Sequence, residues 1–238
     1  MELIFDSRWP QPLNILNEQI VQCQRCPRLV EWREEMATTK RRAYMDWEYW
    51  GRPVPSFGDP LARVLIIGLA PAAHGGNRTG RMFTGDRSGD FLYRALFETG
   101  FANQPTSLSR GDGLRLTDAF ITAPVRCAPP DNKPERSEML ACEPYFDREI
   151  ELMRQVRVVV ALGNIGFTAY LRYLQRKNII RALSSYRFGH LALYRPDKDG
   201  PFLLGCFHPS QQNTSTGRLT AAMLRDVFAR ARDLVETE

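Results

Sequence analysis

The stretch RVLIIG, residues 63–68, decides the fold of this chain. It is a continuous run of apolar side chains that ends in glycine, and this pattern is typical of a parallel strand buried on both faces. VRVVVALG, residues 156–163, repeats the pattern, and residues 115–123 and 201–207 are also strand-like apolar runs. The four runs predict four strands of one sheet.

Helical patterns separate these strands. Ser88 can cap a helix that extends to about Glu98, and Ser137 can cap another that extends to about Gln155. Two more helices are expected after the third and fourth strands, over residues 164–175 and about 217–235. This alternation predicts an α/β fold, a three-layer sandwich around a central four-stranded parallel sheet.

Three other segments have distinct patterns. Residues 12–36 have apolar positions at helical spacing, residues 37–60 read as irregular, and the four prolines of residues 123–134 indicate a loop. The chain has 238 residues, 43% of them hydrophobic and 25% charged, which is ordinary globular composition. We therefore expect one domain over residues 1–238.

The sequence has neither a secretion signal at its start nor an apolar run near 18 residues. A cytoplasmic protein without a membrane partner is expected. The net charge is +5, with 28 arginines and four lysines. Arginine binds phosphate groups well, but so modest a charge only weakly favours nucleic acid. Five arginines lie in or beside the loops that follow the predicted strands and predict one concentrated basic surface, which could face a polyanion such as DNA: Arg78, Arg81, Arg87, Arg126 and Arg218.

The five cysteines indicate a metal site rather than disulfides, because their number is odd and no secretion signal is present. Cys23 and Cys26 form a C-x-x-C pair, and Cys127 and Cys142 follow with 14 residues between them. Cys206 lies in an apolar run and is expected to be a buried core residue. The other four could bind zinc or an iron–sulfur cluster, or be unrelated cysteines.

Ligands of such folds bind at the carboxyl ends of the parallel strands. After the first strand, Gly68, Ala70 and Ala72 would let a flat ligand approach the backbone. Phe83 could stack on a base or anchor the loop in the core. Asp86 could cap the next helix, or hold a water molecule and offset positive charge in a substrate.

The fourth strand is followed by His208-Pro209-Ser210. An imidazole here can hydrogen-bond developing negative charge. Ser210 can donate to a phosphate, and Arg218 is expected to open the last helix, where a phosphate is also favoured. The polar residues between them are Gln211, Gln212 and Asn213.

Together these motifs resemble the uracil-DNA glycosylase superfamily over roughly residues 20–232. The resemblance rests on Gly68-Leu69-Ala70-Pro71, Phe83, Cys127 and His208-Pro209-Ser210. The cysteine arrangement resembles subfamilies with a [4Fe-4S] cluster, which implies that Cys23, Cys26, Cys127 and Cys142 are its ligands. The cluster would tie the N-terminal segment to the rest of the domain.

Two positions indicate the branch of the superfamily. Leu69 stands where family-four enzymes have glutamate, and Ala123 stands where they have an asparagine that reads uracil. Both features resemble the family-five branch, called type B. Fewer fixed polar groups discriminate less between bases, so the resemblance implies excision of uracil, also opposite guanine, and of deaminated bases such as hypoxanthine and xanthine.

The resemblance also implies roles in base flipping and hydrolysis of the glycosidic bond in double-stranded DNA. Phe83 stacks on the flipped base, the amides near Leu69 and Ala70 and the His208 side chain stabilise the leaving base, and Asp86 positions water. Asn132 is a second polar candidate. The segment from Gln211 to Asn213 fills the space that the base leaves, and Ser210 and Arg218 grip phosphates.

Two other classes of protein remain as alternatives. A phosphatase-like or nucleotide-binding enzyme would need a carboxylate cluster at the strand ends, which the sequence lacks. A non-catalytic iron–sulfur module would bind damaged DNA without releasing a base. We expect a monomer, and a contact with a sliding clamp stays open.

Overall fold

The structure, a computed structural model, describes residues 9–237 and contains a six-stranded sheet. Its strands are β1 (Phe57–Gly58), β2 (Val64–Ile67), β3 (Ala119–Thr122), β4 (Val158–Leu162), β5 (Leu193–Tyr194) and β6 (Phe202–Cys206), and their order across the sheet is β1-β3-β2-β4-β6-β5. The four central strands are parallel. They are the four that the sequence predicts, each slightly shorter than its apolar run.

The prediction of a four-stranded sheet is wrong in number. Two-residue strands add to both edges in antiparallel orientation, β1 on β3 and β5 on β6. Such short strands have no hydrophobic period of their own. They form because a neighbouring strand offers unpaired amide and carbonyl groups.

Eight α-helices lie within the described residues. They are α1 (Gln11–Val21), α2 (Pro27–Thr39), α3 (Gly76–Thr79), α4 (Arg87–Glu98), α5 (Arg136–Leu152), α6 (Asn164–Arg176), α7 (Gln211–Ser215) and α8 (Ala221–Glu236). One face of the sheet packs on α4 and α8 through residues such as Leu92 and Phe228. The other packs on α1, α5 and α6 through Leu13, Phe146 and Phe167. The three-layer sandwich is therefore confirmed.

Several helix ends differ from the prediction. The helical pattern of residues 12–36 is two helices, α1 and α2, which separate at the C-x-x-C motif. Helix α5 is capped by Glu135, not by Ser137. Helix α8 begins after Thr220, whose hydroxyl accepts from the amide of Met223. In the described part of the chain, we find no helix of the length and apolarity that a membrane span requires.

Candidate active site and cysteine cavity

The carboxyl ends of β2, β3, β4 and β6 meet at one edge of the sheet. There the amide of Gly68 donates to the carbonyl of Thr122 at 2.8 Å, and the amide of Gly163 donates to the carbonyl of Cys206 at 2.7 Å. The sequence thus places the loops that follow all four strands side by side. The loop after β2, residues 69–86, is called the first loop below. The segment after β6, residues 207–218, is called the histidine segment.

Phe83 and His208 face each other across this edge. Their ring centroids are 6.0 Å apart. A Cβ on Gly68 would lie 2.9 Å from two ring carbons of Phe83, and one on Gly163 would lie 3.1 Å from the Cβ of His208. The approach at Gly68 leaves no room for a Cβ without a shift, and Gly163 has φ 90°, a conformation that favours glycine. Phe83 also packs against the core, so it anchors the first loop and lines the site at once.

Asp86 is the N-cap of α4, a helix for which the sequence predicts Ser88 as the cap. Its Oδ1 accepts from the amide of Gly89 at 2.9 Å, which is the capping interpretation of this residue. Its Oδ2 lies against Gly75, where a Cβ would overlap it. Burial raises the pKa of Asp86, while the amides of Gly89 and Ser88 lower it. A half-buried carboxylate with a raised pKa can both cap the helix and accept a proton.

His208 follows β6 directly. Burial lowers its pKa to about 4, so the imidazole is neutral at pH 7. Within residues 9–237 neither ring nitrogen forms a hydrogen bond, while the backbone carbonyl accepts from the side-chain amide of Asn213 at 2.9 Å. The neutral ring can therefore donate one N–H to a ligand.

The rest of the histidine segment is a short, polar helix rather than an open loop. Ser210 caps α7, its Oγ accepting from the amide of Asn213 at 3.3 Å. Gln211 and Gln212 are exposed. Arg218 is exposed as well, but it precedes α8 instead of opening it, and its guanidinium lies 4.8 Å from the centre of the Phe207 ring.

The remaining predicted residues lie at two positions. Leu69, Ala70 and Ala72 are half-buried in the first loop, and within the described residues the amides of Leu69 and Ala70 have no protein acceptor. Asn132 is exposed in a single 3₁₀ turn with φ 56°. Its side chain forms no hydrogen bond in the described chain. No contact joins it to Asp86 or His208 within residues 9–237.

The expected DNA-facing surface is wrong for three of its five arginines. Arg78, Arg81 and Arg126 are buried, and only Arg87 and Arg218 are exposed. Arg81 pairs with Asp112 at 2.7 Å, and Arg126 pairs with Glu149 at 2.6 Å. These side chains hold loops together and cannot reach a phosphate.

Arg78 has a different environment from the other two. It donates to the carbonyls of His74 and Gly85 at 2.8 and 2.7 Å. Its guanidinium lies 3.8 Å from the Tyr44 ring centre and 4.1 Å from the Trp47 ring centre. Sequence analysis missed this role, because the two aromatic residues lie more than 30 positions earlier in the chain.

Cys23, Cys26, Cys127 and Cys142 all line one small cavity with a volume of about 20 Å³. The first two lie at the junction of α1 and α2, Cys127 lies in the loop after β3, and Cys142 lies on α5. Cys206 is fully buried in β6, as predicted. The fold therefore brings together the four cysteines that the sequence singles out and keeps the fifth apart.

The surroundings of the cavity fit an anionic group held by thiolates. Arg33 is buried and donates from Nη1 to the Cys127 Sγ and to the Cys23 carbonyl, both at 3.2 Å. The Nε atoms of Arg33 and Arg126 are buried without a hydrogen-bond partner within the described residues. Burial raises the pKa of the Cys127 thiol to about 11 and that of Cys142 to about 12, so both are protonated at pH 7 and a metal that binds them must displace their protons.

In the described part of the chain, no set of three or more His, Cys, Asp or Glu side chains is arranged to hold a metal ion. The buried guanidinium of Arg33 supplies one positive charge beside the thiols, whereas that of Arg126 is paired with Glu149.

Comparison with known families agrees with this architecture. Residues 55–232 match the model of the uracil DNA glycosylase superfamily. Because the match covers most of the chain, including the first loop, Phe83 and the histidine segment, the chain belongs to the uracil-DNA glycosylase superfamily.

Curated relatives identify the branch of the superfamily. A protein of Mycobacterium leprae named type-5 uracil-DNA glycosylase is 53% identical over 223 residues, 92% of this chain and 94% of the relative. Proteins of the same name from Thermus thermophilus and Pyrobaculum aerophilum are 49% and 44% identical over 91% and 90% of this chain, and over 95% and 89% of their own length. The chain belongs to the type-5 family.

Proposed function

We propose that this protein excises uracil from double-stranded DNA by hydrolysing the N-glycosyl bond, which leaves an abasic site. The observation that carries this proposal is the position of the Phe83 ring between Gly68 and His208 at the carboxyl edge of the sheet. An aromatic ring, two glycines and a neutral imidazole meet here, a set of groups suited to a flat base. Family membership and the names of the relatives support the same reaction.

The base must leave the duplex to reach this site, and unstacking it costs a few kcal/mol. Phe83 stacks on the flipped base. The amides of Leu69 and Ala70, which have no acceptor in the described chain, donate to its carbonyl oxygens, and Ala72 bounds the pocket at the backbone. A base that already pairs poorly costs less to flip, which favours uracil opposite guanine.

Cleavage of the bond between base and sugar moves its electron pair onto the base and leaves positive charge on the sugar. His208 is neutral, so it donates a hydrogen bond to the departing base without having to lose a proton. Asp86 offsets the charge on the sugar and orients a water molecule, whose oxygen bonds to the sugar carbon while its proton moves to a carboxylate oxygen. The raised pKa of Asp86 supports this basic role. Asn132 is a second polar group for the same water.

Base specificity follows from the apolar residues of the pocket. Leu69 is half-buried and Ala123 is buried, and neither side chain can form a hydrogen bond with a base. A pocket that hydrogen-bonds a base through few side chains rejects related bases weakly. We therefore extend the substrates to hypoxanthine and xanthine.

Binding of the DNA is assigned to the histidine segment. Ser210 accepts within the chain, which leaves its hydroxyl hydrogen for a phosphate oxygen. Arg218 is exposed and can bind a second phosphate. Gln211, Gln212 and Asn213 fill the space of the flipped base.

For the cofactor, we propose that Cys23, Cys26, Cys127 and Cys142 bind a [4Fe-4S] cluster. The all-sulfur donor set, the cavity between the thiols and the unpaired Nε atoms of Arg33 and Arg126 support it. When bound, the cluster supplies covalent links that tie the α1–α2 junction, the proline-rich loop and α5 into one domain over residues 1–238. Iron and sulfide analysis tests this, and one zinc ion per chain would contradict it.

The function is tested with duplexes that carry uracil, hypoxanthine or xanthine at one position. After incubation and alkali treatment, strand breaks at that position are expected, fastest for uracil opposite guanine. Binding to these duplexes without any break would favour the non-catalytic module instead. We also propose that the protein acts as a monomer in the cytoplasm. The elution volume on a sizing column checks the oligomeric state.

A further inference from the structure

Besides Arg87 and Arg218, further exposed positive charge lies in a segment that sequence analysis treated as irregular. Residues 40–52, called the basic segment here, have the sequence KRRAYMDWEYWGR, with four basic and two acidic side chains. Arg41, Arg42 and Arg52 are exposed. Within residues 9–237 none of the three forms an ion pair. Their charge is therefore available to a partner.

The basic segment is fixed to the first loop by several contacts. The amide of Trp50 donates to the Arg78 carbonyl at 2.9 Å, and the amide of Gly51 donates to the Asn77 carbonyl at 3.0 Å. Tyr44 and Trp47 enclose the Arg78 guanidinium from two sides. The segment is thus held in a defined place, with one 3₁₀ turn (Arg42–Tyr44) inside it.

A second set of contacts places this segment close to the strand-end edge. The hydroxyl of Tyr49 lies 3.1 Å from Nδ1 of His74, a residue of the first loop. The same hydroxyl accepts from the backbone amide of Arg41 at 3.3 Å. Burial lowers the pKa of His74, and the charges of Arg41 and Arg78 lower it further. The charge of Arg41 therefore acts on His74, which lies in the first loop.

We propose that Arg41 and Arg42 bind the phosphate backbone of the DNA that lies across the active-site edge. The partner is a polyanion that runs past the first loop, and an exposed pair of unpaired guanidinium groups is suited to its phosphates. Asp46 and Glu48 share the segment, so its net charge is +2. These carboxylates would repel a broad acidic protein surface. They are compatible with a phosphate chain, whose charges are spaced apart. The proposal rests on the proposed DNA substrate.

The test measures how the affinity for a short undamaged duplex changes with salt concentration. Each phosphate contact adds about 0.9 to the slope of log affinity against log salt. The double variant R41A/R42A is expected to flatten the slope by about 2 between about 50 and 200 mM salt. Its rate of uracil excision, measured with saturating enzyme in a single turnover, stays at the wild-type value.

The matched control is R154A/R157A, which removes two exposed arginines just before β4, at the opposite edge of the sheet. It is expected to keep the wild-type slope. Equal slopes for R41A/R42A and the control would overturn the proposal. If the wild type and R41A/R42A show the expected difference in slope but the wild type never releases a base, the proposed glycosylase function is wrong while the proposed DNA-binding surface is supported. Circular dichroism of both variants verifies that they fold.

Discussion

The first loop and the histidine segment face each other across the active site, yet they are built in opposite ways. In the first loop Arg78, Arg81 and Thr84 are buried. Arg81 bonds to Asp112 and Thr84 to Ser107, while Arg78 bonds to carbonyls of the loop itself and packs on two aromatic rings outside it. In the histidine segment Gln211, Gln212 and Arg218 are exposed, and most hydrogen bonds of α7 are local. One side is rigid and the other is adaptable.

This difference matches the two tasks of the site. Groups that meet the reacting atoms must be fixed to within a fraction of an ångström, which needs buried support. Groups that meet a duplex of any sequence do not need such precision. The comparison therefore predicts large effects for changes in the first loop and small ones in the polar helix.

The largest effect is expected for Asp86→Ala. Loss of a group that positions water and accepts its proton lowers the single-turnover excision rate by about 10²- to 10⁴-fold. Because the raised pKa of Asp86 lies above the ordinary value of about 3.9, excision by the wild type falls as pH decreases through that raised value. Asp86→Asn keeps the cap but loses this acidic limb.

The control for this experiment is the neighbouring Arg87→Gln, which changes an exposed charge beside the carboxylate. It is expected to leave both the rate and the acidic limb unchanged. An Asp86→Asn variant with wild-type excision would reduce Asp86 to a helix cap.

The next effect is on stability and concerns Arg81, a buried support of the first loop. Arg81→Met leaves Asp112 without its buried partner, and breaking such a pair costs about 3–5 kcal/mol. A lower midpoint of urea unfolding measures it. The double variant R81M/D112N removes both charges, while the asparagine oxygen can still accept from a backbone amide such as that of Leu114, and it should recover part of the loss. No recovery would mean that packing around Arg81, not its charge, supports the loop.

These arginines show why the exposure of a charged side chain is hard to predict from the sequence alone. Their strand-end location was predicted correctly, but their burial was not. Burial of Arg78 depends on Tyr44 and Trp47, and that of Arg126 depends on Glu149, partners that only the tertiary fold brings close. Exposure is a property of the packed chain, whereas the apolar runs that predict the four central strands are local.

The same limit applies to the short elements. Thr220 and Asp86 are good N-cap residues, so the starts of α8 and α4 could have been found from the sequence. The strands Phe57–Gly58 and Leu193–Tyr194 could not, because they exist only by pairing with β3 and β6. The four predicted cysteines line one cavity, and their role as cluster ligands stays a prediction.

A smaller loss of activity is expected for His208→Ala. A donor that stabilises negative charge in the transition state contributes about 10²- to 10³-fold to the rate. Because the pKa of His208 is about 4, the ring is neutral above that value, and its removal leaves the shape of the pH profile between pH 5 and 8 unchanged. A variant whose acidic limb disappears would assign that limb to His208 instead of Asp86.

The smallest effect is expected for the double variant Q211A/Q212A in the adaptable helix. Both side chains are exposed, and alanine favours a helix, so the free energy of unfolding changes by at most about 0.5 kcal/mol. Excision from duplex DNA falls by about tenfold, because a side chain that fills the space of the flipped base supplies about 1.4 kcal/mol. Excision from single-stranded DNA, which has no such space, keeps its rate. Gln155→Ala, an exposed glutamine just before β4, leaves both rates unchanged. Equal losses on single-stranded and duplex DNA would show that the polar helix acts on the chemistry, and the division between a rigid and an adaptable side would not hold.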